Sequence, residues 1–139
     1  MTAAFFDSSI AVYAVDPRDQ SASKRAVARE LLMERDSVFS IQVLMETFNV
    51  LVRKDLMDVD LASAYVRRLS NNTIIGIERE DVLESLDKRT MYQISHWDGL
   101  IIRAAEKAQT PILYSEDLNH GQTYGSVRVC NPFIEDFLA

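Results

Sequence analysis

Four acidic residues stand where an acid can do chemistry: Asp7, Glu46, Asp98 and Asp117. Asp7 ends the apolar run Ala3-Ala4-Phe5-Phe6. Asp117 follows the β-like stretch from Pro111 to Ser115. Asp98 lies in the first turn of a helical stretch, and Glu46 lies one turn into another. Carboxylates that converge repel one another unless a cation neutralises them, and magnesium and manganese prefer oxygen donors. A site of that kind lowers the pKa of a bound water and stabilises charge on a phosphodiester. Each acid also has a local alternative. Asp7 can begin a turn or cap the following helix. Asp98 fits the pattern S-x-x-D with Ser95 as cap, where a carboxylate also gains from the helix dipole. Asp117 can make an Asx-type turn before Gly121. Glu46 points away from the centre of the Leu44/Phe48/Leu51 stripe, the usual setting of an exposed glutamate.

The elements that must position these acids follow from the pattern. Ala3 to Phe6 reads as a buried strand, with Asp7-Ser8-Ser9 as helix-start residues and a short helix over 10–15. A second helix runs from Ser21 or Ser23 to about Glu34, and 37–40 is a brief strand. Ile41 to Lys54 is helical, with Ile41, Leu44, Phe48, Leu51 and Val52 as its inward stripe. Asp60 is placed to cap a helix over 61–69 that carries Leu61, Ala64, Tyr65 and Arg68. Thr73 to Ile77 is β-rich, and a helix follows over 79–91. The strongest helical pattern is Ser95–Lys107, where Trp97, Leu100, Ile101, Ala104, Ala105 and Ala108 share one face. Strands at 112–115 and 127–130 precede a C-terminal turn or helix. This alternation predicts an α/β fold with a mostly parallel sheet covered on both faces. In such sheets ligands bind beyond the carboxyl ends of the strands, where Asp7 and Asp117 fall.

With 139 residues, the chain is long enough for one domain with its own core, and 1–139 reads as a single domain. No apolar run approaches the roughly 20 residues of a membrane span. The first ten residues lack a basic region followed by an apolar core, so no signal peptide is expected. Cys130 is the only cysteine, which excludes an internal disulfide and favours the cytoplasm. The net charge of −6 argues against nucleic-acid binding through a general positive field. That argument weakens if the four acids converge on a cation.

Five segments carry a family resemblance: FFDSSIAVYAVD at 5–16, SIQVLMETFNVLVRK at 40–54, SHWDGLIIRAA at 95–105, YSEDLNHGQ at 114–122 and NPF at 131–133. In this order and spacing the chain resembles PIN-domain proteins of the VapC toxin type, over nearly its whole length. The resemblance implies a PIN-like α/β/α sandwich with Asp7, Glu46, Asp98 and Asp117 in one pocket holding Mg2+ or Mn2+. Ser8, Ser9 and Ser115 match small hydroxyl positions that orient acids and water. At the position of Ser9 many relatives carry asparagine. Glu116, adjacent to Asp117, is a further contributor.

The activity implied is that of a toxin endoribonuclease, hydrolysing RNA phosphodiesters at one or two metal ions to leave 5′-phosphate and 3′-hydroxyl ends. The implied partners are RNA, a small cognate antitoxin and a second copy of the chain in a homodimer. His96 and His120 flank the motifs and read as surface or packing residues. The apolar positions Leu51, Leu56, Met57, Val59, Leu61 and Tyr65 either fill the chain's own core or offer part of a partner surface. The alternative function is a catalytically inactive PIN-like module that binds a partner or RNA. A receiver-like signalling domain also carries acids at strand ends. It needs a phosphoacceptor after a mid-chain strand, and Asp55, Asp58 and Asp60 do not follow one.

Overall fold

The computed structural model describes residues 2–134. The chain begins with β1 (Ala3–Phe6), α1 (Ser8–Tyr13), a 3-10 turn (Asp19–Ser21) and α2 (Ala22–Glu34). It continues with β2 (Asp36–Ser40), α3 (Ile41–Arg53), α4 (Val59–Leu69), β3 (Thr73–Ile75) and α5 (Arg79–Tyr92). Then come α6 (His96–Lys107), β4 (Ile112–Tyr114), β5 (Thr123–Tyr124) and β6 (Val127–Cys130). The C-terminal turn or helix expected beyond these lies largely outside the described residues.

One sheet runs in the order β3-β2-β1-β4-β6-β5. Every pairing is parallel except that of β5 with β6. Helices flank this central sheet, in agreement with the expected α/β/α architecture. β1 is central, and an apolar run without alternation suits a strand covered on both faces. Ala4, Phe5 and Phe6 are fully buried. Phe6 stacks on Tyr114, with ring centroids 5.3 Å apart, and meets Phe39 at 6.1 Å. Phe6 pairs in register with Tyr114, so the residues that leave these two strands start side by side. The Asp7 amide completes the pairing by donating to the Tyr114 carbonyl at 3.0 Å.

Several expectations at the level of single positions are corrected. In α3 the buried residues are Gln42, Val43, Thr47 and Leu51, whereas Ile41 is exposed. Ser40 caps this helix by accepting from the Val43 amide at 3.3 Å, and the face this start turns inward includes two polar side chains. An apolar count cannot see them. Asp58, not Asp60, caps α4, accepting from the Leu61 amide at 2.8 Å. The inner face accordingly centres on Ala62 and Leu69 and leaves Leu61 exposed. Of the apolar positions at 51–65, Leu51 and Leu56 are core, while Val59 and Leu61 face solvent. Trp97 is also exposed, so the buried face of α6 is carried by Leu100, Ile101, Ile102, Ala104 and Ala105. β5 has only two residues, too few for a periodic signal. It forms a hairpin with β6 across Gly125-Ser126, with Gly125 at a φ of +61°.

α5 and α6 are tied by a buried carboxylate. Asp81 accepts from Arg103 Nε at 2.9 Å, Lys107 Nζ at 2.7 Å and the Glu78 amide at 2.7 Å. Burial works against its charge, but the hydrogen bonds from Lys107, the Glu78 amide and Arg103 outweigh that and bring its pKa down to about 2. This clamp holds the helix whose first turn carries Asp98.

Candidate active site

Asp7 stands at the carboxyl end of β1 and caps α1, with only 4% of its surface exposed. Its Oδ1 accepts from the Ser8 amide at 2.7 Å, and its Oδ2 accepts from Ser115 Oγ at 2.7 Å. Ser115 is fully buried, and its hydroxyl also accepts from the Asp117 amide at 3.1 Å. One serine therefore fixes both the first acid and the loop that bears the last. This turn is built by the Ser115 hydroxyl, where the sequence suggested the Asp117 carboxylate before Gly121. On the other flank, Ser8 Oγ donates to Glu46 Oε2 at 3.2 Å, linking α1 to α3. Ser9 Oγ accepts from the Glu116 amide at 3.3 Å, which pins the same loop to α1.

Asp98 sits in the first turn of α6, where its amide donates to Ser95 Oγ at 3.0 Å. Ser95 is the cap, and it also hydrogen-bonds the half-buried Asp98 carboxyl, which has no ion-pair partner among the described residues. Glu116 is turned elsewhere. It pairs with Lys24 and accepts from the Tyr13 hydroxyl at 3.2 Å. His120 is structural, its Nδ1 accepting from the Asn131 amide at 2.9 Å. His96 packs against the Trp97 ring at 5.0 Å.

The acids feel one another. Burial outweighs the hydrogen bonds from Ser115 and the Ser8 amide and, with smaller repulsions from Asp117 and Glu46, pushes the Asp7 pKa up to about 7. Asp117 is raised by loss of solvent and then by Glu116, Asp98 and Glu46, while Lys54 works the other way. Asp98 is raised by burial against the opposing bond to Ser95. No ion pair among the described residues involves Asp7, Glu46, Asp98 or Asp117.

The donor set is therefore all oxygen, anionic and uncompensated by a paired cation, which suits a hard divalent ion such as Mg2+ or Mn2+. Among the described residues, no three Asp, Glu, His or Cys side chains stand together as a ready-made ligand set.

The PIN domain family matches residues 4–125, most of the chain and all four acids. The chain belongs to the PIN domain family. Its fold resembles that of several solved toxins. A toxin–antitoxin complex from Klebsiella pneumoniae aligns with a TM-score of 0.70 at 18% identity, over 94% of this chain and 98% of that one. VapC20 of Mycobacterium tuberculosis, a toxin that cleaves the sarcin–ricin loop, aligns at 0.67 with 15% identity, over 82% and 89%. VapBC2 of Rickettsia felis, solved with a promoter DNA fragment, aligns at 0.63 with 15% identity, over 92% and 97%. No curated protein matches the chain significantly in sequence.

Two residues of this PIN domain escape a reading of the sequence. Gln42, 7% exposed, donates from Nε2 to Glu46 Oε1 at 2.6 Å and to the Trp97 carbonyl at 3.2 Å. It joins the helix of Glu46 to the first turn of the helix of Asp98. A glutamine next to an apolar stripe reads as surface, and nothing in the pattern marks it. Gly99 is the second. A Cβ there would lie 2.7 Å from the Ser85 carbonyl oxygen, so only glycine lets α6 approach α5 this closely. A glycine inside a helix costs about 1 kcal/mol relative to alanine, and that cost is the signal that could have found it.

Groups that orient metal ligands typically tune affinity by 10- to 100-fold. If Glu46 is a metal ligand, Gln42→Ala is expected to raise the Mn2+ concentration that half-saturates the protein by about 10-fold or more. An unchanged metal dependence would remove Gln42 from the site.

Proposed function

We propose that this PIN domain is a Mg2+- or Mn2+-dependent endoribonuclease and the toxin of a toxin–antitoxin pair. One observation carries the reading. Asp7 is a buried carboxylate at a central strand end, held only by neutral donors and in electrostatic contact with Glu46 and Asp117. An unpaired acid in that position is costly to fold around unless it has a task.

Asp7, Glu46, Asp98 and Asp117 would hold the ion or ions, some directly and some through water. A divalent ion there supplies an activated water and neutralises charge on the phosphodiester. The chain's own residues supply the placement. Ser115 and the Ser8 amide fix the two oxygens of Asp7. Ser8 and Gln42 hold the two oxygens of Glu46. Ser95 and Gly99 set the turn that presents Asp98. The raised pKa of Asp7 means that protons and metal compete for the site, so activity is expected to rise with pH through about 7.

The partner reading has its own support. Ile41, Met45, Ile77 and Trp97 are exposed, and they line an apolar groove that passes Glu46. Exposed apolar surface next to a functional site fits a protein partner, and an antitoxin segment lying there would reach the acids. The solved neighbours include toxin–antitoxin complexes, which accords with this. A homodimer and a cytoplasmic location belong to the same proposal. No described helix is long and apolar enough to cross a membrane.

The test is cleavage of total RNA by the purified protein with Mg2+, with Mn2+ and with EDTA, set beside Asp98→Asn. Metal-dependent cleavage that falls at least 100-fold in the variant is expected, roughly 3 kcal/mol of barrier. Equal cleavage by both proteins would end the site assignment. Metal binding without turnover on any RNA would leave a binding module.

A further inference from the structure

To one side of the acids, α1, the turn after it and the end of α3 enclose a cleft of about 140 Å³. Its floor is apolar, from Val12, Val50 and Leu56, and its rim carries Arg18, Lys54 and Asp117. The arginine is set in place. Asp16, wholly buried, accepts from the Arg18 amide at 3.1 Å, from its Nε at 3.0 Å and from its NH2 at 2.7 Å, and also takes the Ser21 hydroxyl at 2.8 Å. Arg25 closes the turn by donating to the Asp16 and Arg18 carbonyls. The Arg18 side chain nonetheless stays 42% exposed at the rim. Lys54 is exposed and has no side-chain hydrogen bond or ion pair among the described residues, although its charge reaches Asp117. Glu116, which also lines the cleft, is already neutralised by Lys24.

Asp16 occupies the Nε–Nη2 edge of Arg18, which leaves its Nη1 as the donor that can meet an anion beside the unpaired Lys54 ammonium. The cleft is smaller than the roughly 300–1,000 Å³ that encloses a drug-sized ligand. A phosphate with the edge of its sugar is a better match than a whole nucleotide. We propose that this cleft is a phosphate subsite, in which Arg18 and Lys54 hold the phosphodiester next to the one that meets the acids. The apolar floor takes the intervening sugar. The inference rests on the nuclease reading for the identity of the strand. The shared chemistry is a phosphate anion, whether free or in RNA.

Binding is measured in EDTA, so that no turnover is involved. A labelled single-stranded RNA is followed by anisotropy across a salt series, and inorganic phosphate by amide chemical shifts. Lys54→Met is compared with Arg67→Met, the same charge change on an exposed residue of α4 outside the cleft. Lys54→Met is expected to weaken RNA binding at least 5-fold at low salt and to flatten the log–log salt slope by about 0.7, one phosphate contact on a single strand. Phosphate is expected to shift the Arg18 and Lys54 backbone amides in the wild type and to leave the Arg18 amide unshifted in Lys54→Met.

Equal effects of the two variants on RNA would overturn the subsite. Loss of phosphate binding with RNA binding intact would make the cleft a free-anion site and overturn its assignment to the strand. Binding through Lys54 by a protein that never cleaves RNA would refute the nuclease reading and leave the subsite standing.

Discussion

Asp7→Asn is expected to lower RNA cleavage about a thousandfold, some 4 kcal/mol of barrier, while making the metal-free protein more stable at pH 8. The two effects share one cause. The substitution keeps the shape of the side chain and the oxygen that takes the Ser8 amide, and the Ser115 hydroxyl can turn to accept from the new amide. It removes the charge. In the unfolded chain this carboxyl titrates near 3.8, and in the fold it titrates at about 7. Between those values the folded state keeps a proton that the unfolded state has released, so stability falls as pH rises through the window. Above about 7 both states are ionised and the whole cost is present. It amounts to a few kcal/mol, roughly 4 at most.

The variant is thus expected to lose much of the wild type's decline in melting temperature between pH 5 and pH 8. Mn2+ should raise the melting temperature of the wild type at pH 8 and do little for the variant, because an ion that binds only the folded state stabilises it by mass action. A variant less stable than wild type at pH 8 in EDTA would show that the Asp7 charge is satisfied in some other way.

Gly99→Ala carries the second large effect. Helix propensity alone predicts a gain of about 1 kcal/mol. The added methyl would lie 2.7 Å from the Ser85 carbonyl oxygen and 3.3 Å from the Ser85 Cα, both backbone atoms that no rotamer change can move aside. Overpacking of this kind costs about 1–3 kcal/mol, and the clash is expected to win. The melting temperature should fall by several degrees. Cleavage should fall by about 10-fold or more, because the turn displaced is the one that bears Asp98, and small misplacements are costly in catalysis. Ser85→Ala should not rescue it, since the obstructing atoms are not in the side chain. A Gly99→Ala protein that melts higher and cleaves normally would refute the close approach of α5 and α6.

What a sequence reveals about this fold depends on the range of the interaction involved. Asp7 and Asp117 were visible because a buried strand ends where apolar residues give way to polar ones, and α/β sheets place their ligands there. The strand–helix alternation was visible for the same reason. The α3 face was misjudged because Gln42 and Thr47 occupy inward positions that an apolar count leaves blank. Trp97 was assigned inward on size and spacing, yet the buried surface of α6 lies over Leu100, Ile101 and Ile102. Asp58 and Asp60 are equivalent caps on paper, and only the backbone at Asp58 decides between them. Gln42 and Gly99 act on neighbours 55 and 14 positions away. Local pattern carries no record of such contacts. The strand-end positions of Asp7 and Asp117 and the hydroxyls of Ser8 and Ser115 could be read, but the contacts of Gln42 and Gly99 could not.

The pairing of β1 with β4 has a consequence for the making of the protein. Asp7 is synthesised 108 positions before Ser115, whose hydroxyl holds it. A chain growing at roughly 5–20 residues per second therefore spends several seconds with its first acid unplaced, its central strand lacking one neighbour, and Asp117 not yet made. Such a nascent chain has neither the bond that holds Asp7 nor Asp117 itself. If the protein is a nuclease that attacks the cell's RNA, the ribosome that makes it is shielded from it by topology until the 115–117 loop has been made.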